Sequence, residues 1–336
     1  MRIPLAGRSR FGYGCGGSRL STWGSGPGTY RAGSRETWIR ELSPPSSGRA
    51  VRVLLSGVPG PVDPGRLVET LDWLVERAHE NLGTEVVLRS VVAGADQWRV
   101  ATVGSAGGVA GVSVWAPGGQ WFLEADSELA ATQLAELVWQ ASGRRPAKLT
   151  TSGNVKVWLR PWLTGPCGGR ITREHDLMAM ACEAPTTAGE GRWATPADRE
   201  SLELYQAAYN EERGTSAAPD WDAVLGRRTV AVLEHGGRIV AVVKRTADTA
   251  RFATIGGTWT NPEYRRRGLG ARVTAFITGA LLMERPAVHL IVDDDNTAAI
   301  ALYRSLGFHE MGRCHMAYLA NAEEPQSEST RRGRSG

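Results

Sequence analysis

Several features that mark common protein classes are scarce or missing in this sequence of 336 residues. Its four cysteines lie far apart, without a Cys-x-x-Cys pair or a histidine at ligand spacing: Cys15, Cys167, Cys182 and Cys314. This pattern argues against a disulfide framework, predicts no metal site and favours the reducing cytoplasm. No apolar run approaches the about 20 residues that a membrane span needs, and the N-terminus lacks the apolar core of a signal peptide. We therefore expect a cytoplasmic protein without a membrane partner.

The basic charge of the chain is confined to one segment that lacks both lysine and aspartate. Residues 1–50 carry eight arginines and two glutamates, a net charge of +6, so the remaining chain is at −2 when the whole is at +4. A groove for nucleic acid needs clustered basic residues on the folded part of the protein. The charge distribution therefore argues against nucleic acid as a partner.

The composition divides the chain into five segments. Residues 1–50 are rich in Gly, Ser and Arg and poor in aliphatic residues, which predicts a disordered tail; an organelle transit peptide or a mis-assigned translation start are the alternatives. Residues 320–336 form a second polar tail. Between the tails, helix and strand patterns alternate over 51–165, Gly/Pro-rich stretches and a short strand mark a linker over 166–190, and a second α/β pattern covers 191–319.

The hydrophobic periodicity of the first folded segment predicts a helix followed by several strands. Apolar residues from Leu67 to Ala78 recur at helical spacing behind Asp63-Pro64. The segments beyond this helix are predicted as two strands, a hairpin and a helix: Val86–Val92, Trp98–Val103, Val109–Ala116 with Gln120–Ala125, and Leu129–Ala141. No residues in this region combine into a pattern with recognisable chemistry.

The second folded segment predicts the element order β-α-β-β-β-α-β-α-β, with a final strand pair after Phe308. Its first helix begins at Thr195-Pro196. A hairpin turn falls at His235-Gly236-Gly237, and a third strand runs over 251–260. Helices are expected over 268–284 and 297–306, with a buried strand over 288–292 between them.

A basic, glycine-containing run lies between the third strand and the helix that follows it. The run reads Arg265-Arg266-Arg267-Gly268-Leu269-Gly270-Ala271. The first backbone amides of a helix have no intrahelical acceptor and lie at the positive end of its dipole, so they attract anions. Glycine lets a pyrophosphate approach the backbone closely. The run lacks the Walker A Gly-Lys-Ser/Thr and the Rossmann fingerprint, so it indicates another phosphate-bearing cofactor.

A second motif follows about 30 residues downstream. Asn296 begins a helix that ends at Gly307-Phe308, and Tyr303 lies about two turns from Asn296 on nearly the same face. By itself this is the pattern of a capped amphipathic helix with a partly buried tyrosine. Its order and distance relative to the first motif give it more weight.

The two motifs together resemble the GNAT superfamily of N-acetyltransferases over about 130 residues, from Gly191 to Leu319. Arg265, Gly268 and Gly270 match the family's acetyl-CoA signature, and the Asn296–Phe308 segment matches its later motif. The resemblance implies an α+β layered GNAT acyltransferase fold, with a mixed, mostly antiparallel sheet flanked by helices. A two-part subgroup carries a divergent acetyltransferase-like domain first, which implies that residues 51–165 are a smaller, divergent and degenerate copy.

The resemblance also implies roles for individual residues. The amides of Arg266 to Ala271, including Arg267 and Leu269, would hold the pyrophosphate of acetyl-CoA, and the strand ending at Thr258-Trp259-Thr260 would bind the pantetheine arm. Asn296 would contact the cofactor, and Tyr303 would act as the general acid beside the thioester sulfur.

The general base and the acceptor stay open at this point. The family members that acetylate ribosomal-protein termini carry an acid five residues before the motif asparagine, and Ile291 stands there instead. Other candidate bases are Asp293, Asp294, Asp295, Glu211, Glu212, Glu234, His289 and Tyr264. The expected reaction is direct transfer of an acetyl group to a primary amine of a small molecule or amino acid by a monomer or homodimer. The alternatives are a protein N-terminal or lysine acetyltransferase and a non-catalytic acyl-CoA-binding module.

Overall fold

A computed structural model describes residues 31–32, 38–41, 52–56, 64–77, 82–93, 98–105, 108–116 and 118–321. Most of the two predicted tails, at 1–30 and 322–336, lies outside these residues. The first half of the chain contains twelve described elements. They are β1 (Arg31–Ala32), β2 (Trp38–Glu41), β3 (Arg52–Ser56), α1 (Pro64–Arg77), α2 (Leu82–Val92), β4 (Arg99–Ser105), β5 (Gly108–Trp115), β6 (Gln120–Ala125), α3 (Glu128–Ser142), β7 (Lys148–Ser152), α4 (Val155–Thr164) and β8 (Gly169–Cys182).

The second half contains the predicted helices and strands in the predicted order, and it adds the short helix α6, which was not predicted. Its elements are β9 (Arg192–Trp193), α5 (Arg199–Arg213), a short α6 (Trp221–Val224), β10 (Val230–His235), β11 (Arg238–Asp248), β12 (Phe252–Thr260), α7 (Leu269–Leu282), β13 (Ala287–Asp293), α8 (Thr297–Ser305) and β14 (His309–Asn321). Turns of 3₁₀ helix at Pro196–Asp198 and Pro262–Tyr264 precede α5 and α7. The order β-α-α-β-β-β-α-β-α-β occurs twice, from β3 to β8 and again from β9 to β14.

Three details differ from the sequence predictions. The segment Val86–Val92, predicted as a strand, lies in helix α2, where Val87 and Leu88 pack in one cluster with Leu71 and Leu74 of α1. Tertiary packing here overrides the strand preference of β-branched residues. The predicted final strand pair is the single strand β14, and β7 and α4 were not predicted.

The described residues form two compact units. The central unit contains residues 182–288, and the flanking unit contains the described residues of 29–181 and 289–336. The predicted boundaries at 165 and 190 do not coincide with this division, and β1 and β2 lie inside the segment 1–50 that was predicted to be disordered. The five predicted segments stay predictions.

The sheet of the flanking unit has the order β1-β2-β3-β4-β5-β6-β7-β14-β8-β13. Strands β6 and β7 run parallel, with Gln120 opposite Lys148, and α3 forms the crossover between them. The C-terminal strand β14 inserts between β7 and β8, so that Cys314 lies opposite both Ser152 and Leu177. Residues from the end of the sequence thereby belong to the same sheet as the first half.

The sheet of the central unit has the order β12-β11-β10-β9 and is antiparallel. Val232 and Val242 pack in one cluster with Leu202 and Tyr205 of α5. Successive side chains point to opposite faces of a strand, and α7 packs against β10, β11 and β12. The strand end at Thr260 and the start of α7 therefore lie at one edge of a well-packed layer.

In the described part of the chain, no helix is both long and apolar enough to cross a membrane.

Candidate acyl-donor site

Strand β12 contains a bulge where the predicted pantetheine segment begins. Val242 pairs with Trp259 and Lys244 pairs with Gly256, so a step of two residues along β11 corresponds to a step of three residues along β12. Gly257 takes up the distortion with φ +60°, a conformation that glycine adopts without steric cost. Beside it, the Oγ1 of Thr258 is buried and has no hydrogen-bond partner among the described residues. A buried, unsatisfied hydroxyl costs stability, and a ligand group that pairs with it removes that cost.

The turn between β12 and α7 has left-handed backbone at two positions. Arg266 has φ +60° and Gly268 has φ +73°. A non-glycine residue in this region costs about 1–3 kcal/mol, and such residues cluster at ligand-binding turns. Turns with left-handed residues direct several backbone N–H groups into one concavity that binds anions. The conformation of this turn therefore fits the predicted phosphate site.

The N-terminus of α7 carries no competing cap. No side chain accepts a hydrogen bond there, the first turn contains no acidic residue, and Gly268 serves as N-cap. The first amide of the helix to donate back to the turn is that of Arg272, to the Gly268 carbonyl oxygen at 3.1 Å. The preceding amides of Leu269, Gly270 and Ala271 lie at the positive end of the helix dipole.

Helix α3 occupies the same place in the first repeat of the element order, and its N-terminus is built differently. The Ser127 side chain accepts a hydrogen bond from the Ala130 amide at 3.3 Å. Glu128 lies in the first turn and Asp126 precedes the cap. The hydroxyl satisfies one of the amides, and the two carboxylates repel an anion. The sequence signature and the helix geometry thus both distinguish α7 from α3.

Glu212 of α5 holds two of the predicted site residues in place. Its Oε2 accepts a hydrogen bond from the Trp259 indole Nε1 at 3.0 Å and from the Arg265 guanidinium at 2.6 Å. Arg265 also donates from Nε to the Thr260 carbonyl oxygen at 2.9 Å. The hydrogen bond from Arg265 lowers the pKa of Glu212. Glu212 therefore stays ionised and braces the turn, which makes it a poor general base.

The remaining arginines of the turn lie at the surface. Arg266 and Arg267 are exposed. The Arg267 guanidinium carbon lies 5.3 Å from the centre of the Tyr264 ring, which contacts the His235 ring edge-on at 5.7 Å between centroids. The structure thus brings Thr258, Trp259, Thr260 and the whole run Arg265–Ala271 into one continuous strand, turn and helix start.

Asn296 and Tyr303 belong to the flanking unit. The Asn296 side-chain oxygen accepts a hydrogen bond from the Ala299 amide at 3.1 Å, as expected of an N-cap. Tyr303 is buried, and its ring lies 5.8 Å from that of Phe308. Helix α8 is therefore capped by Asn296 and contains a buried tyrosine, as the sequence predicted.

Three of the other candidate bases are engaged by basic groups. Asp293 Oδ1 lies 2.9 Å from His175 Nδ1, and Asp294 Oδ2 lies 3.3 Å from the Arg313 guanidinium. Glu234 pairs with Arg192. These contacts favour structural roles for the three carboxylates. Within the described ranges, no group of three or more His, Cys, Asp or Glu side chains could hold a metal ion.

Lys244 of β11 is a polar group at the bulge that the sequence did not single out. Its Nζ donates a hydrogen bond to Gln206 Oε1 at 2.9 Å and lies 5.3 Å and 5.6 Å from the ring centres of Tyr205 and Tyr209. Burial lowers the pKa of Lys244 to about 8. The signal in the sequence is weak, a lysine at the end of a run of apolar strand residues.

Comparison with known proteins identifies the fold and the family of this region. Residues 198–308 match the acetyltransferase (GNAT) family. These residues form a GNAT acetyltransferase domain, and the members of this family transfer acyl groups from acyl-CoA donors. No curated protein is similar enough in sequence to match the chain.

One solved structure shares the fold at low sequence identity, and two further structures align less closely. A Drosophila protein aligns with a TM-score of 0.52 at 11% identity, covering 80% of this chain and 100% of its own. A GNAT acetyltransferase from Colwellia psychrerythraea covers 80% of this chain and 99% of its own at 12% identity and a TM-score of 0.49. A GCN5-related N-acetyltransferase from Sphaerobacter thermophilus covers 68% and 84% at 20% identity and a TM-score of 0.49.

Proposed function

We propose that the GNAT domain is an N-acetyltransferase that uses acetyl-CoA and acts on the primary amine of a small molecule or amino acid. The observation that carries this proposal is the start of α7. It combines an uncapped helix N-terminus, no acidic residue in its first turn and left-handed backbone at Arg266 and Gly268. These features fit a pyrophosphate, because they present backbone donors and positive potential to an anion.

Residues along β12 fit the arm that links the pyrophosphate to the thioester. The buried Thr258 hydroxyl has no hydrogen-bond partner in the described structure, and the bulge at Gly257 disrupts the ladder next to it. The amides of Arg266 to Ala271 would hold the pyrophosphate, and Thr258 to Thr260 would pair with the amide groups of the arm. The acyl end would then lie towards Gly257.

Acetyl-CoA supplies the acetyl group as a thioester when it is bound. The acceptor nitrogen forms the new C–N bond with its lone pair while the C–S bond breaks. The resemblance to the family gives Tyr303 the task of protonating the departing sulfur from its phenol oxygen. The acceptor nitrogen loses its proton to water. A proton delivered by water then restores the phenol of Tyr303.

We further propose that the first repeat, β3 to β8, is a degenerate copy without its own donor site. Its element order repeats that of β9 to β14, but α3 is capped by Ser127 and carries Glu128 in its first turn. Cys167, Cys182 and Cys314 are buried and form no disulfide among the described residues, which is compatible with a reducing cytoplasm.

Calorimetric titration of the full chain with acetyl-CoA tests the proposal. We expect binding of one acetyl-CoA per chain, and acetyl-pantetheine, which lacks the pyrophosphate and the nucleotide, should bind much more weakly. Two equivalents per chain would contradict the degenerate copy. Absence of binding at millimolar acetyl-CoA would refute the donor site itself.

Transfer is tested separately by measuring release of the CoA thiol with panels of small amines and of peptides. Turnover with small amines and not with peptides supports the proposed acceptor class. Turnover with peptides alone would favour a protein acetyltransferase. Binding of acetyl-CoA without turnover in either panel would favour a non-catalytic module.

A further inference from the structure

Lys244 is a partly buried cation without a counter-ion. No carboxylate among the described residues pairs with its amine, and Nζ has Gln206 Oε1 as its hydrogen-bond acceptor at 2.9 Å. An ammonium group has three donors, and a buried charge is normally paired. The sequence contains only three lysines, and Lys156 among them has an ordinary ion pair with Asp176 at 2.6 Å. The surroundings of Lys244 therefore lack an anion.

The surroundings of Lys244 are rigidly arranged. Gln206 Nε2 donates to Asn210 Oδ1 at 2.9 Å, and Asn210 Nδ2 donates to the Ala217 carbonyl oxygen at 2.8 Å. This chain of hydrogen bonds directs the Gln206 carbonyl oxygen at the lysine. The rings of Tyr205 and Tyr209 stabilise the ammonium through their faces, yet such contacts offset only part of the cost of burying it.

The amine lies directly at the bulge of β12. A Cβ placed on Gly257 would come within 2.6 Å of Lys244 Cε and 3.4 Å of Nζ, so the lysine passes across this glycine. The Tyr205 hydroxyl donates to the Gly257 carbonyl oxygen at 2.9 Å and fixes the same point from α5. Gly257 is where the acyl end of the donor lies in the proposed function. In the proposed function, Lys244 therefore lies next to the acyl group of the donor, between Gly257 and Gln206 of α5.

We propose that Lys244 binds the carboxylate of the acceptor, which makes the acceptor an amine that carries a carboxylate on the neighbouring carbon, as an α-amino acid does. This inference rests on the proposed function and names the acceptor class. One carboxylate matches the single unpaired charge of Lys244, whereas a phosphate dianion would need further cations. Lys244 binds and orients the acceptor, so that the amine on the adjacent carbon faces the acyl group.

Matched acceptors test this inference on the full chain. L-amino acids and their α-amides are compared as acceptors of acetyl-CoA in the wild type, Lys244→Gln and Lys244→Arg, with CoA thiol release as the readout. The quantity of interest is the ratio of kcat/KM for each acid to that for its amide. Comparing this ratio between variants cancels the difference in amine pKa between acid and amide. Lys156→Gln serves as the control for loss of a lysine charge.

We expect the wild type to prefer the acids. Because a charge-assisted hydrogen bond is lost, Lys244→Gln should lower the acid-to-amide ratio about ten- to hundred-fold. Lys244→Arg should recover part of the loss, mainly through KM, and Lys156→Gln should leave the ratio unchanged. Unaltered acetyl-CoA affinity and thermal midpoint show that Lys244→Gln is folded.

Two outcomes overturn the inference. One is an equal loss of kcat/KM for acids and amides in Lys244→Gln. The other is acetyl-CoA binding without turnover of any amino acid, which removes the acceptor class and leaves the donor site standing. Absence of acetyl-CoA binding, in contrast, refutes the proposed function, and the inference falls with it.

Discussion

Replacing Gly268 by alanine separates the backbone cost of the turn before α7 from its effect on ligand binding. Gly268 has φ +73°, and a Cβ at this position would meet no atom within 4 Å. The substitution therefore creates no clash within the protein. Its cost is that of left-handed backbone for an L-residue, about 1–2 kcal/mol, which lowers the thermal midpoint by a few degrees.

The effect on the donor should be larger. A methyl group at Gly268 lies in the open space in front of the α7 amides, where the pyrophosphate is proposed to bind. Loss of one charge-assisted hydrogen bond costs about 1.5–3 kcal/mol, so the Kd for acetyl-CoA should rise about 10- to 100-fold. Calorimetric titration and thermal denaturation of the same samples measure the two effects.

Gly226 offers a matched control within the central unit. It has φ +78°, and a Cβ there would also meet nothing within 4 Å. Gly226→Ala should therefore lose as much stability as Gly268→Ala and keep the wild-type affinity for acetyl-CoA. The reasoning is refuted if Gly268→Ala binds acetyl-CoA like the wild type, or if both variants lose affinity equally.

Three further substitutions probe the residues to which the proposed function and the further inference assign roles. Tyr303→Phe should bind acetyl-CoA normally and turn over about 10²-fold more slowly in CoA-release assays, because it cannot protonate the sulfur; equal turnover would remove this role. Thr258→Val should raise the free energy of unfolding in urea by about 1 kcal/mol, since it removes an unsatisfied hydroxyl, and should weaken acetyl-CoA binding; lower stability would contradict this. Burial lowers the pKa of Lys244 to about 8, so above pH 8 the folded protein loses this proton while the unfolded chain keeps it up to pH 10.5. The unfolding free energy of the wild type relative to Lys244→Met should therefore rise by about 2 kcal/mol between pH 7.5 and 9.5, and a flat difference would argue against a desolvated amine.

Local signals in the sequence were sufficient to predict the starts of the two helices that carry the proposed site residues. The glycine and arginine run predicted the start of α7 within one residue, and Asn296 was correctly predicted as the cap of α8. Caps and turns depend on residues close in sequence, so they can be inferred without knowledge of the fold. The valine-rich segment Val86–Val92 was predicted wrongly, because its partners are the leucines of α1 and the deciding contacts are tertiary.

The sequence by itself determined most of the order of elements in the second half, the family and the position of the turn before α7, because each depends on short spacings along the chain. Only the tertiary structure decided where β14 pairs, that Glu212 accepts hydrogen bonds from Arg265 and Trp259, and that Lys244 lies against Gly257 with no carboxylate partner among the described residues. These features join residues that are 13 to 170 positions apart. Spacing along the chain carries no information about such contacts, since they form only when β14 pairs with β7 and when α5, β11 and β12 pack together.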